Sequence, residues 1–166
     1  MVVGNGDIAK ALKPVDRDDF IFFASGVSNS GETRPSEFRR ELDLLGKQPR
    51  DKRLVYFSSL CIFYSQSMYA MHKRTMELLI KQVFDSYTII RLGNITWGTN
   101  PHTLINYLRD HPDAEIRDEQ RYVCEKDEFL HWMRLIPDFN CEMNITGRRM
   151  TVKRIVEIYV NAHPYI

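Results

Sequence analysis

Three apolar runs restrict this chain more than any other feature: FIFFAS (20–25), RLVYFSS (53–59) and YTIIRLGN (87–94). Each has the length of a strand and is apolar at successive positions, where a half-exposed strand would alternate with polar residues. Runs of this kind belong in a parallel sheet covered on both faces. Stretches of helical period separate them, so the pattern predicts an α/β fold with a doubly wound parallel sheet.

The other elements fall into place around these runs. The segment "MVV" is a short first strand, followed by a glycine turn and a helix near 7–13 that Pro14 stops. Helices are expected over 36–46, opened by Ser36 and closed by Gly46, and over 68–84, the longest helical pattern. Residues 101–110 read as helix, 115–124 as extended chain and 127–136 as helix. A last strand is expected at 142–147 and a final helix over 151–161. The 166 residues suit one domain, with the polar stretch 110–121 as the seam to a small lobe at about 110–166.

Composition excludes several classes. Hydrophobic residues make up 43% and charged residues 27%, and the net charge is +1, which suits a globular protein without a nucleic-acid or anionic-membrane surface. No apolar run approaches the roughly 18–20 residues of a membrane span, and the first residues do not read as a secretory signal. Cys61, Cys124 and Cys141 are odd in number and widely spaced, as expected of reduced thiols in a cytoplasmic protein. His102, His111, His131 and His163 are too scattered to suggest a metal site.

Two local patterns carry chemistry. In "VVGNGDIAKAL", Gly4, Gly6 and Ala9 stand in GxGxxA spacing between a strand and a helix. Gly4 permits the tight turn, Gly6 lets a pyrophosphate approach the backbone, and Ala9 allows close helix–strand packing. The chain then passes through residues 13–19 straight into "FIFFAS", which leaves no room for the second strand that usually carries a ribose-binding acid. Asp16 and Arg17 could meet a ribose and a phosphate, or simply be solvated turn residues.

The second pattern is Ser59, at the end of a strand, followed by Tyr69 and Lys73 at i and i+4 on a helix. A phenol with pKa near 10 is a poor proton-transfer group at neutral pH, and an adjacent ammonium lowers that value. Tyr69 could then protonate an alkoxide or deprotonate an alcohol held by Ser59. Such a pair also occurs as an amphipathic tyrosine above a solvated lysine. A helix-surface His72 is expected to be solvated, and Arg91 to orient an anion or pair with a nearby acid. Asp127 and Glu128 read as helix-start acids, and Trp97 and Trp132 as packing residues or covers for a ligand.

Taken in order, these segments resemble the short-chain dehydrogenase/reductase superfamily, especially the extended branch of nucleotide-sugar epimerases, dehydratases and reductases. "FIFFASGVSNS" resembles the strand and small-residue loop over the cofactor, "LVYFSSLCIFY" the strand bearing the active-site hydroxyl, "YAMHK" the YxxxK pair and "IIRLGNITWG" the segment after the next strand. "RYVCEKDEFLHWMRLI" and "NITGRRMTVKRIVEIY" resemble the closing segments that build a substrate lobe.

The resemblance implies a Rossmann-like fold, truncated by loss of the second and third strands, and an NAD or NADP cofactor. It implies Tyr69 as acid–base catalyst, Lys73 as the group that lowers its pKa and binds the nicotinamide ribose, and Ser59 as the anchor of the reacting oxygen. The cofactor set would be Gly4, Gly6, Asp7, Ile8, Ala24, Ser25, Gly26, Lys73, Gly93, Asn94 and Ile95. The expected substrate carries a hydroxyl or keto group, with a nucleotide sugar as one such class, and the expected assembly is a homodimer through helices 36–46 and 68–84. The chain departs from the branch in its length, its GxGxxA spacing, the ten-residue step from Ser59 to Tyr69, and His72 before the lysine. A reduced, non-catalytic member that binds a nucleotide or a protein is the alternative.

Overall fold

A computed structural model of the protein describes residues 1–161. Its main sheet has five parallel strands in the order β1 (Val2–Val3), β2 (Phe20–Phe23), β3 (Arg53–Ser59), β4 (Tyr87–Leu92) and β7 (Cys141–Ile145). The apolar runs form β2, β3 and β4, and their side chains alternate between two cores. Phe20, Phe22, Val55, Phe57, Ile90 and Leu92 pack under α1 (Asp7–Leu12) and α5 (Lys126–Arg134). Ile21, Phe23, Leu54, Tyr56 and Ile89 face α2 (Pro35–Gly46) and α3 (Met68–Val83). Burial on both sides is why the runs are unbroken.

The sheet is the truncated, Rossmann-like α/β arrangement expected. Among the described residues no strand pairs with the free side of β1, where a second and third strand would lie. This truncation has a topological consequence. The four connections step the same way across the sheet, yet α1 and α5 cover one face while α2 and α3 cover the other. Two of the four are therefore left-handed, against the strong rule for parallel connections. For α1 this follows because the chain runs directly on to β2 instead of going out to further strands and returning.

A smaller sheet of β5 (Asn94–Ile95), β6 (Gln120–Cys124) and β8 (Arg148–Thr151) packs with α4 (Leu104–Asp110) and the short α6 (Val152–Ile155). The described part of the segment from residue 110 divides between the two sheets. Its β7 completes the main sheet, while β6, β8 and α6 build the lobe.

Several boundaries differ from expectation for local reasons. Pro14 does not end the first helix; the chain tightens into a 3₁₀ turn over Lys13–Val15, where the missing N–H costs nothing at its start. Helix α2 begins at Pro35, with Arg34 at the cap position, and Gly46 is its last residue. The predicted helix at 151–161 is preceded by β8 and widens into a π-type turn over Val156–Val160. No helix among the described residues is long and apolar enough to cross a membrane.

Candidate active site

The C-terminal ends of β1, β2, β3 and β4 open into a cleft of about 1130 Å³, beyond the roughly 300–1,000 Å³ typical of small-molecule pockets. Ser59, Tyr69 and Lys73 line it, as do Gly6, Asp7, Ile8, Ala24, Ser25, Gly26, Gly93, Asn94 and Ile95. Gly4 alone of the expected set lies behind the wall. Its φ is +123°, and a Cβ there would stand 2.5 Å from the Ala24 carbonyl oxygen, so glycine is required where β1 turns against β2. A Cβ on Gly6 would meet nothing within 4 Å, so the space above that backbone is free for a ligand.

Asp7 fastens a strap across the cleft. Its carboxylate accepts hydrogen bonds from the Thr99 N–H at 3.1 Å and the Asn100 N–H at 2.9 Å. Asn100 in turn donates to the Ser28 hydroxyl at 3.1 Å, so one loop ties the turns after β1 and β2. Trp97 packs on Phe129 with ring centroids 5.2 Å apart, which makes it a packing residue. Gly93 lets the chain slip between strands, since a Cβ would stand 2.8 Å from the Tyr122 carbonyl oxygen, and Asn94 donates to that same carbonyl.

The strand–loop–helix unit after β3 is tied down by side-chain caps. The Ser59 hydroxyl accepts from the Cys61 N–H at 3.2 Å, and Ser67 caps α3 by accepting from the Ala70 N–H. Arg74 reaches back to the Ile62 and Ser65 carbonyls, which holds the ten-residue step in place. Tyr69 is buried beside the cleft, and burial pushes its phenol well above the ordinary range. Cys61 and Glu41 add to that rise, and the Ser59 hydroxyl only partly opposes it.

Lys73 is where the structure departs most from the resemblance. Its ammonium donates to Glu41 Oε1 and the Tyr56 hydroxyl, each at 3.0 Å, and to the Phe57 carbonyl at 3.5 Å. Three acceptors match its three hydrogens. The nitrogen is 5.7 Å from the Tyr69 ring centroid and pairs with Glu41, whose own charge adds to the rise of the Tyr69 phenol. Glu41 is fully buried and also accepts from the Val27 N–H at 2.7 Å, the Tyr56 hydroxyl at 2.6 Å and His72 Nε2 at 3.0 Å. Burial raises its carboxyl pKa, but the Lys73 charge and these hydrogen bonds outweigh burial and hold it below the usual carboxylate range.

Glu41, Tyr56 and a buried His72 are absent from the sequence-derived site. One signal was present: Glu41 interrupts the apolar stripe of Phe38, Leu42 and Leu45 on α2. His72 is not solvated; it lies against the Phe38 ring, with centroids 4.6 Å apart. Arg91 pairs with Glu77 and Glu142. Asp16 takes the N-terminal ammonium, and Arg17 stacks on Phe20, so neither reaches the cleft. Among the described residues no group of three His, Cys, Asp or Glu is placed to hold a metal ion, and His163 lies outside them.

The same fold is found in solved structures of an epimerase and a dehydratase that act on nucleotide sugars by name. Solved structures with it include the Bordetella bronchiseptica enzyme WbmG in complex with NAD and UDP (TM-score 0.62, 13% identity, 87% of this chain and 56% of that one). A UDP-galactose 4-epimerase matches with a TM-score of 0.60 at 14% identity, over 89% of this chain and 64% of the epimerase. The Bacillus anthracis dTDP-glucose 4,6-dehydratase in complex with NAD matches with a TM-score of 0.62 at 14% identity, over 93% and 61%. The chain thus spans 56–64% of the length of these enzymes, and identities this low establish a shared fold alone. No protein-family model matches the chain, and no curated protein matches it either.

Proposed function

We propose that the chain is a shortened NAD(P)-dependent oxidoreductase or epimerase acting on a hydroxyl or keto group, with a nucleotide sugar as the favoured substrate class. The observation that carries this reading is the meeting of Gly6, Ser59, Tyr69 and Lys73, far apart in sequence, on one cleft at the C-terminal edge of a parallel sheet. Open space over Gly6 and the small residues Ala24, Ser25 and Gly26 suit a dinucleotide backbone. When bound, a nicotinamide supplies hydride exchange. The chain's own part is to hold the reacting oxygen at Ser59 and to move its proton at the Tyr69 hydroxyl.

The test is thermal shift with NAD, NADP and nucleotide sugars, followed by turnover in Tyr69→Phe. A ligand at a hundredfold excess over Kd adds about 2.7 kcal/mol of stability, which for a chain of this size raises Tm by roughly 5–11 °C. Tyr69→Phe is expected to lose 10²–10⁴-fold in turnover, to order of magnitude, while keeping its fold. No shift with either dinucleotide sinks the reading.

A second reading, a non-catalytic nucleotide- or protein-binding member, draws on the capture of Lys73 by Glu41 and on the strap at Asp7. Nucleotide-sugar binding without dinucleotide binding would favour it. Under either reading we place the chain in the cytoplasm, with its three cysteines reduced, and as a homodimer through α2 and α3 with no nucleic-acid or membrane partner. Exposed Met68, Met71 and Leu78 on α3 supply the apolar face for that dimer.

A further inference from the structure

Glu41 is a buried carboxylate that the proton chemistry above does not use, yet four donors from three parts of the site converge on it. The Val27 N–H comes from the loop after β2, the Tyr56 hydroxyl from β3, and His72 and Lys73 from α3. The packing leaves no slack: a Cβ on Gly26 would stand 2.7 Å from Lys73 Nζ and 2.8 Å from Glu41 Oε1. We propose that Glu41 is the positioning residue of this site, holding the Lys73 ammonium at the foot of Tyr69 and the 24–28 loop against the cleft.

The inference rests on reading Tyr69 as the proton-transfer group. The ionisable groups around Tyr69 and Lys73 are Glu41 on α2, Tyr56 on β3, Cys61 and Tyr64 in the following turn, and His72 and Glu77 on α3. Lys73 and His72 both contact the fully buried Glu41, and the Lys73–Glu41 pair is neutral as a unit. Glu41 therefore decides how much of the lysine's charge Tyr69 feels. It also couples Lys73 to the loop, because one carboxylate oxygen binds Lys73 while the other binds Val27 and His72.

The test reads both side chains by NMR, with the tyrosine ring carbons and glutamate carboxyl carbons labelled and assigned through Tyr69→Phe and Glu41→Gln. In the unaltered chain the Glu41 carboxyl signal is expected to stay constant through the pH range in which solvated carboxylates titrate. In Glu41→Gln the Tyr69 midpoint is expected to fall by about one pH unit or more, because the Lys73 charge is no longer offset. In Glu41→Gln/Lys73→Met it is expected to rise again.

An unchanged Tyr69 midpoint in folded Glu41→Gln overturns the assignment, and so does an equal fall on Glu41→Gln in the Lys73→Met background, which would show only the carboxylate's own field acting on the phenol. A Glu41 signal that titrates with the solvated acids overturns it equally, and that measurement stands even where the variant fails to fold. Neither readout needs cofactor or turnover. A chain that passes both yet binds no dinucleotide refutes the oxidoreductase reading and leaves Glu41 as the holder of Lys73.

Discussion

Removing the Lys73 amine is a severe test of the buried network. Its side chain is 2% exposed and that of Glu41 is 0% exposed, so Lys73→Met strands a carboxylate with no water to replace the lost partner. Breaking a buried pair from one side costs about 3–5 kcal/mol. Glu41 keeps its hydrogen bonds from Val27, Tyr56 and His72, which places the cost at the lower end, about 3 kcal/mol. That is a large share of the roughly 5–15 kcal/mol that holds a domain folded, and it corresponds to a Tm lower by about 6–12 °C. Urea unfolding followed by circular dichroism measures it, with an unchanged m value showing that the unfolding transition is comparable.

The pH dependence adds a second constraint. In the unaltered chain the Glu41 pKa is depressed, so its contribution is present above the ordinary carboxylate pKa of about 4.3 and is lost as pH falls through the lower folded value. In Lys73→Met the opposing charge is gone and burial pushes the same group upward. The variant then takes up a proton on folding and gains stability relative to neutral pH as the medium is acidified. The gap between the two proteins is therefore widest at neutral pH and narrows toward pH 4–5, in round terms. A variant within about 1 kcal/mol of the parent at neutral pH, or a gap indifferent to pH, refutes the reasoning.

Two further outcomes follow from the packing. Gly4→Ala combines a left-handed backbone with a 2.5 Å approach to the Ala24 carbonyl, and is expected to destabilise by more than the ~1–2 kcal/mol that such a backbone costs alone; urea unfolding at parental stability would contradict it. Light scattering at high concentration should give the mass of a dimer, and Met71→Lys/Leu78→Lys should give that of a monomer with unchanged circular dichroism. A parental monomer would exclude the dimer.

Much of this architecture was legible because burial on both faces writes a local pattern. The runs at 20–25, 53–59 and 87–94 mark β2, β3 and β4 without knowledge of any contact, and the helix periods of α2 and α3 follow in the same way. Boundaries were less legible where the pattern is short. Residues 94–95 and 148–151 pair in a second sheet whose partner strand lies more than twenty residues from either one.

Of the candidate site, the glycine turn at Gly6 follows a known strand–turn–helix pattern, whereas Ser59 and Tyr69 stood out through the order of segments that resembles a known family, their spacing alone being open to a purely structural reading. Their convergence on one cleft was a consequence of the parallel order. What Lys73 does there was not legible. Its partner Glu41 lies thirty-two residues upstream on another helix, and nothing in either segment records that the two meet. Local patterning carries the elements and their buried faces because hydrophobic periodicity acts over a few residues. The charge state of a buried lysine depends on which groups the fold brings within hydrogen-bond reach, and that was decided only when α2 and α3 closed over the same face of β3.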